Sequence, residues 1–291
     1  MRIPDIYART RPAVSFEFFP PKSDEAEETL FRETVPGLKQ LRPAFISVTY
    51  GAGGGTRDRT LRIVDRLRRQ HGIEAMAHAT CVGHTRQEID GILAQARELG
   101  IENLLCLRGD PPKGQATFTP VAGGFAYASD LLRHVRENWP WFSRGAAGYP
   151  EGHVECPDKL LDWDRCAAKV EAGAEFILTQ LFYDAEDFLA FEDYLKNKRG
   201  VKVPIVPGVL PFLGAEQIKR FCSLCGAKLP DGLRRRLEAV AHDDESVRKL
   251  GVEACTDLCR RLLDHGVPGI HIYCLNRSAS STELVKNLGL A

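Results

Sequence analysis

Glu17 is a carboxylic acid within AVSFEFFPPK (residues 13–22), a segment that otherwise has the composition of a buried strand. In water a glutamic acid has a pKa near 4.3, so only about one molecule in 500 is protonated at pH 7. Apolar surroundings raise that pKa, and Phe16, Phe18 and Phe19 are its neighbours in sequence. The segment predicts either a surface strand that exposes Glu17 or a sheltered general acid kept protonated by these rings.

Polar residues recur where other strand-like runs end. The arginine of RGD, Arg108, can hold a phosphate or carboxylate with its forked donors, and Gly109 permits close backbone approach. Asp110 can be a catalytic residue, or it can have the structural role of holding the Arg108 side chain in place. The strand-end polar residues are Glu17, Thr49, Tyr50, His78, Thr80, Arg108, Asp110, Tyr149, Gln180, Tyr273, Asn276 and Arg277. One such residue is usually structural, but recurrence on nearly every strand predicts a single polar site.

Eight apolar or β-branched runs, each followed by a helix-like segment, would position these residues. The runs are AVSFEFF, FISVTYG, EAMAHATC, NLLCLRGD, GAAGYP, FILTQLFY, PIVPGVLP and GIHIYCLN. Thr85 and Glu88 form a capping-box pattern before one helix, and Gly100 supplies its stop. The alternation predicts an α/β protein, a single (β/α)8 TIM barrel over residues 1–291. A doubly wound open sheet is the alternative, because periodicity alone does not show closure.

Composition limits the partners and the compartment. The 39 Lys and Arg residues balance 39 Asp and Glu residues, and no basic stripe stands out, so nucleic acid is not an expected partner. No apolar run is long enough to span a bilayer, and the N-terminus lacks signal-peptide character, so no membrane association is expected. Nine cysteines, an odd number, are typical of free thiols and predict a cytoplasmic protein.

Several familiar motifs are incomplete. YGAGGGT (residues 50–56) has Thr56 where a dinucleotide fingerprint needs its last glycine, so it favours an anion-friendly turn over a Rossmann loop. Cys222 and Cys225 have C-x-x-C spacing without a second pair or a histidine partner, so no metal site is expected. H-E-x-x-H, G-x-S-x-G and P-loop patterns do not occur, which argues against zinc proteolysis, serine hydrolysis and Walker-type nucleotide hydrolysis.

Longer motifs carry a family resemblance. SFEFFPPK, SVTYGAGGGTRDRT, HATC, LRGDPP, FAYASDL, GYPEGH, ILTQLFYD, PGVLP and HIYCLNR occur in the order found in methylenetetrahydrofolate reductases. From Ser15 to Leu290 the chain resembles that family, in its compact bacterial form without the regulatory extension of animal members. The resemblance implies a single flavin-binding barrel in which NADH or NADPH reduces non-covalently bound FAD and leaves. Reduced flavin then converts 5,10-methylenetetrahydrofolate to 5-methyltetrahydrofolate. Donor preference and a possible homo-oligomer stay open.

The resemblance also implies site residues. The cofactor-binding set is Thr49, Tyr50, Ala52, His78, Arg108, Gly109, Asp110, Tyr127, Ala128, Tyr149, His153, Asp162, Arg165 and Lys169. The substrate-binding set is Gln180, Gln217, Phe221, Tyr273 and Arg277. Departures from the family pattern are Val154 and Cys156 in HVEC, Arg165, and Cys274 in CLNR. They are expected to weaken individual contacts.

Glu17 and Asp110 are the expected catalytic residues. The methylene carbon of the substrate bridges N5 and N10, and hydride can add only after that ring opens to an iminium ion. Opening requires a proton on N10, which Glu17 would supply. Asp110 would favour the cationic iminium and tune the flavin. Two alternatives remain open: a pterin-dependent barrel methyltransferase, and a folate- or flavin-binding protein without catalysis.

Overall fold

The computed structural model describes residues 1–50, 57–111, 114–115 and 117–291. Eight parallel strands close into a barrel in chain order. They are β1 (Ala13–Phe18), β2 (Phe45–Val48), β3 (Ala75–Thr80), β4 (Asn103–Leu107), β5 (Ser143–Gly148), β6 (Phe176–Leu181), β7 (Ile205–Val209) and β8 (Gly269–Tyr273). Strand β1 pairs with both β2 and β8, which closes the ring. The predicted (β/α)8 barrel is confirmed, and the open-sheet alternative is wrong.

Helices surround the barrel and connect its strands. They are α1 (Ile3–Arg9), α2 (Asp24–Thr29), α3 (Val35–Lys39), α4 (Arg57–His71), α5 (Arg86–Glu98), α6 (Ala128–Asn138), α7 (Lys159–Ala172), α8 (Ala185–Asp193), α9 (Ala215–Cys225), α10 (Asp231–Val240), α11 (Asp244–His265) and α12 (Ala279–Asn287). A π-helical segment, Leu30–Thr34, joins α2 to α3, and another, Tyr194–Lys198, extends α8. None of the helices in the described ranges combines the length and apolar character that crossing a membrane requires.

The capping box predicted for α5 is present. The Thr85 hydroxyl accepts a hydrogen bond from the Glu88 backbone N–H, and the Glu88 carboxylate accepts one from the Thr85 backbone N–H. These two bonds satisfy donors that the first turn of a helix cannot satisfy itself. After the helix, Gly100 takes a positive φ of 73°, as the predicted stop requires.

Each strand presents alternate side chains to the barrel interior and to the helices. In β1, Phe16 and Phe18 belong to the apolar core outside the barrel, together with residues of the surrounding helices. Glu17 points the opposite way, because it contacts a residue of β3, a strand that does not adjoin β1. Phenylalanine and glutamate therefore occupy opposite faces of the same strand.

The bottom of the barrel interior is apolar and separate from the core under the helices. Helix α1 closes it. The buried cluster there comprises Ile3, Ile6, Tyr7, Ala13, Phe45, Met76, Leu105, Phe176, Leu178 and Val206. The Tyr7 ring lies edge-on to Phe45, with centroids 6.1 Å apart, and 6.3 Å from Phe176. This plug fills the lower barrel and leaves its upper end for polar residues.

Candidate active site

Glu17 lies near the carboxyl end of β1 with 6% of its surface exposed. Its Oε2 accepts a hydrogen bond from the Ser47 hydroxyl at 3.1 Å. The same oxygen lies 3.4 Å from Nε2 of His271 and 3.3 Å from Nε2 of His78. Residues of β1, β2, β3 and β8 thus converge on one carboxylate inside the barrel.

The charge environment of Glu17 differs from the sequence prediction. Burial is the largest influence and would raise its pKa, but the nearby imidazoles of His78 and His271 together outweigh it and lower the pKa to about 2. Burial acts in the predicted direction, but the net shift is downward, so the prediction of a raised pKa is wrong for Glu17 in this structure. Phe16 and Phe18 face the helices, and Phe19 is 40% exposed, so these three phenylalanines do not surround the carboxyl group as predicted.

His271 is a site residue that the sequence analysis missed. It is fully buried in β8, and its Nδ1 is hydrogen-bonded to the Ser15 hydroxyl at 2.8 Å. With Nε2 facing Glu17 and Ser47, the imidazole joins two hydroxyls and a carboxylate into one network. The signal was available, because His271 precedes Tyr273 by two residues and so shares its face of the strand. Attention to strand ends alone overlooked it.

Tyr273 ends β8 and its ring contacts His271 of this network, while Gln180 is near the end of β6. The Tyr273 hydroxyl donates to the Thr179 carbonyl at 2.5 Å, and burial raises the pKa of its phenol. Its ring crosses β7 at Gly208, where a Cβ would come within 2.5 Å of the hydroxyl oxygen, so only glycine fits there. Gln180 is half-buried, and its Oε1 accepts the Leu181 N–H at 2.8 Å.

A second polar group forms beyond β5 and on α7. The Tyr149 and His153 rings meet edge to face with centroids 4.7 Å apart. Lys169 Nζ donates to the Ala147 carbonyl at 2.9 Å and lies 5.5 Å from the centre of the Tyr149 ring. Burial raises the pKa of Asp162 and lowers that of His153. The structure therefore brings these four predicted cofactor residues together.

Arg108 follows β4 and faces the loop after β5. Its two terminal nitrogens donate to both carboxylate oxygens of Glu155, at 2.7 and 2.6 Å. Glu155, rather than Asp110, makes the bidentate pair with Arg108. The Glu155 hydrogen bond is the main reason that the pKa of Arg108 is raised, and the charge of Asp110 contributes less in the same direction. Asp110 itself is exposed. Gly109 has a φ of 86°, and a Cβ there would lie 2.6 Å from Cγ1 of Val82, so this position requires glycine.

The other predicted cofactor residues lie around the same end. Thr49 and Tyr50 follow β2; the Thr49 carbonyl accepts the Thr60 hydroxyl, and the Tyr50 hydroxyl is hydrogen-bonded to His84 at 2.8 Å. Tyr127 is 64% exposed where α6 begins, and Ala128 is the buried first residue of that helix. Arg165 is exposed on α7. Ala52 lies outside the described residues.

The remaining predicted substrate residues come from helix α9 and from the segment after β8. Gln217 is in the first turns of α9, where its Oε1 accepts the Leu213 N–H at 3.3 Å. Phe221 is half-buried one turn further along. Arg277 is exposed beyond β8. The structure brings none of these three into the hydrogen-bond network of Glu17 described above.

Unpaired buried polar atoms test whether these residues suit an anionic dinucleotide such as FAD. Asp162 Oδ2 and Thr80 Oγ1 are buried without a hydrogen-bond partner in the described part of the chain. Buried polar atoms normally have partners, so a ligand rich in hydroxyls fits here. Arg108 and Lys169 add two cations nearby, which suits phosphate. The residues present therefore fit the cofactor.

In the described ranges, no group of three or more His, Cys, Asp or Glu residues could hold a metal.

Comparison with known proteins settles the family. The family model for methylenetetrahydrofolate reductase matches residues 2–289. The chain belongs to the methylenetetrahydrofolate reductase family. Methylenetetrahydrofolate reductase (NADH) 1 of Arabidopsis thaliana is 39% identical over 303 residues, which cover 99% of this chain and 50% of that protein. The 5,10-methylenetetrahydrofolate reductase of Salmonella typhimurium is 36% identical, covering 95% of this chain and 90% of that protein. The chain thus spans about half the length of its plant relatives.

A solved structure shares the fold. An uncharacterized protein from Clostridium thermocellum that binds two copies of 5-methyl-5,6,7,8-tetrahydrofolic acid matches with a TM-score of 0.65 at 20% identity. The match covers 98% of this chain and 96% of that one. At this level of identity the likeness shows the barrel fold alone.

The departures from the reductase family pattern have structural outcomes. Cys274 stands where threonine is expected, and its thiol donates to the Glu17 carbonyl at 3.0 Å, so a side-chain donor is kept at this position. Cys156 is buried, and its thiol donates to the Asp158 carbonyl at 3.2 Å. Val154 is 54% exposed and would contact any side chain at Gly226. The loop after β5 therefore accommodates both departures in HVEC, Val154 and Cys156.

Proposed function

We propose that this protein reduces 5,10-methylenetetrahydrofolate to 5-methyltetrahydrofolate, with FAD as cofactor and NADH or NADPH as electron donor. The observation that carries the proposal is the buried Glu17 network at the upper end of a barrel of this family. The names of the relatives support the reaction, and that of the Arabidopsis relative includes NADH. We extend the proposal to residues 1–291 as one flavin-binding catalytic domain.

The cofactor would lie across the ends of β4 and β5. Arg108, His153 and Lys169 would hold its phosphates, and the unpaired Asp162 oxygen would accept from a ribose hydroxyl. Bound flavin would supply a hydride carrier that takes electrons from the nicotinamide and gives them to the folate's one-carbon unit. The nicotinamide would leave before the folate enters, so both would use the space near Thr49 and Gln180.

Glu17 would deliver the proton to N10 of the folate. Burial is already the largest influence on its pKa and favours the protonated form; only the opposing imidazoles hold the pKa low. Weaker contact of these imidazoles with the carboxylate in the folate complex would let burial prevail, and the carboxyl group would then hold a proton. Ser47 and His271 both lie within hydrogen-bond reach of the same carboxylate oxygen and would orient it toward N10.

Asp110 would act through its charge. It is exposed, and its charge is felt by Tyr149, whose pKa is raised chiefly by burial and secondarily by Asp110. A carboxylate at this place would favour the cationic iminium and oppose its loss to solvent. The folate itself would be held by Gln180, Gln217, Phe221, Tyr273 and Arg277, with Arg277 on the glutamate tail and Phe221 against the aminobenzoate ring.

The proposal is tested with purified protein loaded with FAD. Rapid mixing with NADH, and separately with NADPH, should bleach the flavin absorbance, and the faster reaction identifies the donor. Subsequent mixing with 5,10-methylenetetrahydrofolate should restore the yellow colour and yield 5-methyltetrahydrofolate. A protein that takes up no FAD would instead support the methyltransferase alternative. One that binds FAD and folate without transferring electrons would support the non-catalytic alternative.

We also propose a reducing compartment such as the cytoplasm. The nine cysteines are free thiols, and seven of them are buried. Thiols in such positions persist where glutathione and thioredoxin keep them reduced.

Mass measurement under native conditions would establish whether the protein forms a homo-oligomer.

A further inference from the structure

The bidentate pair between Arg108 and Glu155 has a consequence for cofactor binding. Both terminal nitrogens of Arg108 are engaged, with distances of 2.6 and 2.7 Å to the two carboxylate oxygens. The guanidinium also lies 5.0 Å from the Phe118 ring centre, and its Nε donates to the Gly109 carbonyl at 3.3 Å. Groups of the chain itself thus engage all three guanidinium nitrogens of Arg108.

Glu155 lies in the loop that also carries His153, another of the proposed phosphate ligands. Its backbone N–H donates to Nδ1 of His153 at 3.1 Å, so the two residues are linked within HVEC. The Glu155 side chain is 38% exposed, whereas that of Arg108 is 22% exposed. The carboxylate can therefore swing into solvent while the arginine stays in place.

Carboxylate and phosphate compete for the same planar pair of donors on a guanidinium. We propose that Glu155 is the internal occupant of the anion site of Arg108, and that a phosphate of the cofactor replaces its carboxylate on binding. This inference rests on the proposed function, because it takes FAD as the ligand. Glu155 then keeps the guanidinium oriented before binding and lowers the apparent affinity for the cofactor. The hydrogen bond from Arg108 also lowers the pKa of Glu155, so the carboxylate competes as an anion at neutral pH.

The test is Glu155→Gln in the full chain, with FAD affinity measured by quenching of flavin fluorescence. Because a partly exposed ion pair contributes modestly, we expect about fivefold tighter binding than in the wild type. Affinity of the variant should also fall more steeply with salt, since an unpaired arginine then meets the phosphate. Glu151→Gln is the matched control, because it removes one charge from the same loop but contacts the Lys228 N–H rather than Arg108.

Weaker FAD binding by Glu155→Gln, or a change no larger than that of Glu151→Gln, would overturn the inference and leave Glu155 as a positioning residue. Inorganic pyrophosphate gives a second readout that does not depend on flavin chemistry. It should raise the melting temperature of Glu155→Gln more than that of the wild type, and the difference should vanish when Arg108→Gln is added. Failure of the proposed function would appear separately, as wild-type protein that binds no FAD while the pyrophosphate difference persists.

Discussion

The two ends of the barrel interior are built from the same strands but from opposite kinds of residue. At the bottom, Tyr7 of α1 packs against Phe45 and Phe176 within a cluster of buried apolar side chains. At the top, Glu17 is held among imidazoles and hydroxyls. The difference shows that position along a barrel strand, rather than the strand itself, decides whether a side chain contributes packing or chemistry.

The two ends also differ in how strongly each depends on its partners. An apolar plug contributes through area and volume, so losing one ring leaves a cavity but no unpaired charge. A buried carboxylate needs hydrogen bonds and nearby positive groups to offset the loss of its water, and here residues from strands far apart in sequence provide them. We therefore expect substitutions at the bottom to change stability, and substitutions at the top to change reaction rates and pH dependence.

The largest expected effect is that of Glu17→Gln on the folate half-reaction. Loss of a positioned proton donor typically costs about 10²–10⁴ in rate, and glutamine keeps the shape of the side chain. Reduction of the flavin by the nicotinamide needs no such proton and should keep its rate. Stopped-flow absorbance separates the two half-reactions. Equal slowing of both would show that Glu17 only orders the site and would break the comparison.

Phe176→Ala tests the bottom of the barrel. Removing this fully buried ring should lower the free energy of unfolding by about 3–5 kcal/mol, as for other large-to-small core substitutions. Urea unfolding measures this loss, with Phe176→Leu as a control that should lose less. The FAD affinity of the folded fraction should stay within twofold of the wild type. A tenfold change in that affinity would mean that the two ends are coupled.

Acid sensitivity provides a third test. The pKa of Glu17 is lowered from 4.5 to about 2, so between these values the unfolded chain binds more protons than the folded one. The resulting stability is present above pH 4.5 and is lost as pH falls toward 2; from the size of the shift it amounts to about 3 kcal/mol. Wild type should therefore lose its advantage over Glu17→Gln as pH drops through this window. Parallel stability curves in urea would contradict the lowered pKa.

The smallest effect is expected outside the barrel. Thr85→Ala removes the side-chain cap of α5 and should cost about 1 kcal/mol of stability, with Thr85→Ser retaining most of it. Both half-reactions should keep their rates, because the substitution touches neither end of the interior. A rate change in this variant would show that general loss of stability also lowers activity, and the Glu17→Gln result would then need correction for it.

Much of the fold was predictable because its signals are local. Eight β-rich runs, the capping box of Thr85 with Glu88, and the stop at Gly100 all lie within short windows, and each appears in the structure. The prediction that strand-end polar residues lie near one another follows from barrel closure, because all the parallel strands end at the same mouth of the barrel. The grouping of Tyr149 with His153, Asp162 and Lys169 did not follow from strand position, because the last three lie in a loop or on α7 and were named from the family resemblance.

The electrostatics of the site were not predictable in the same way. His271 lies 254 positions from Glu17 in the chain, and only closure of β8 onto β1 brings them together. Sequence neighbours of Glu17 suggested an apolar setting, yet residues next to each other in a strand face opposite sides. The pairing of Arg108 with Glu155 has the same origin, since two loops must be placed before it exists.

Infrared difference spectroscopy of the Glu17 carboxyl group tests the account most directly. Its band can be assigned by its absence in Glu17→Gln, and titrated with and without FAD and folate. We predict a carboxylate at neutral pH in the protein alone and a protonated carboxyl at pH 6 once both ligands are bound. A side chain that stays fully ionised at pH 6 in the loaded protein would contradict the assignment of Glu17 as the proton donor.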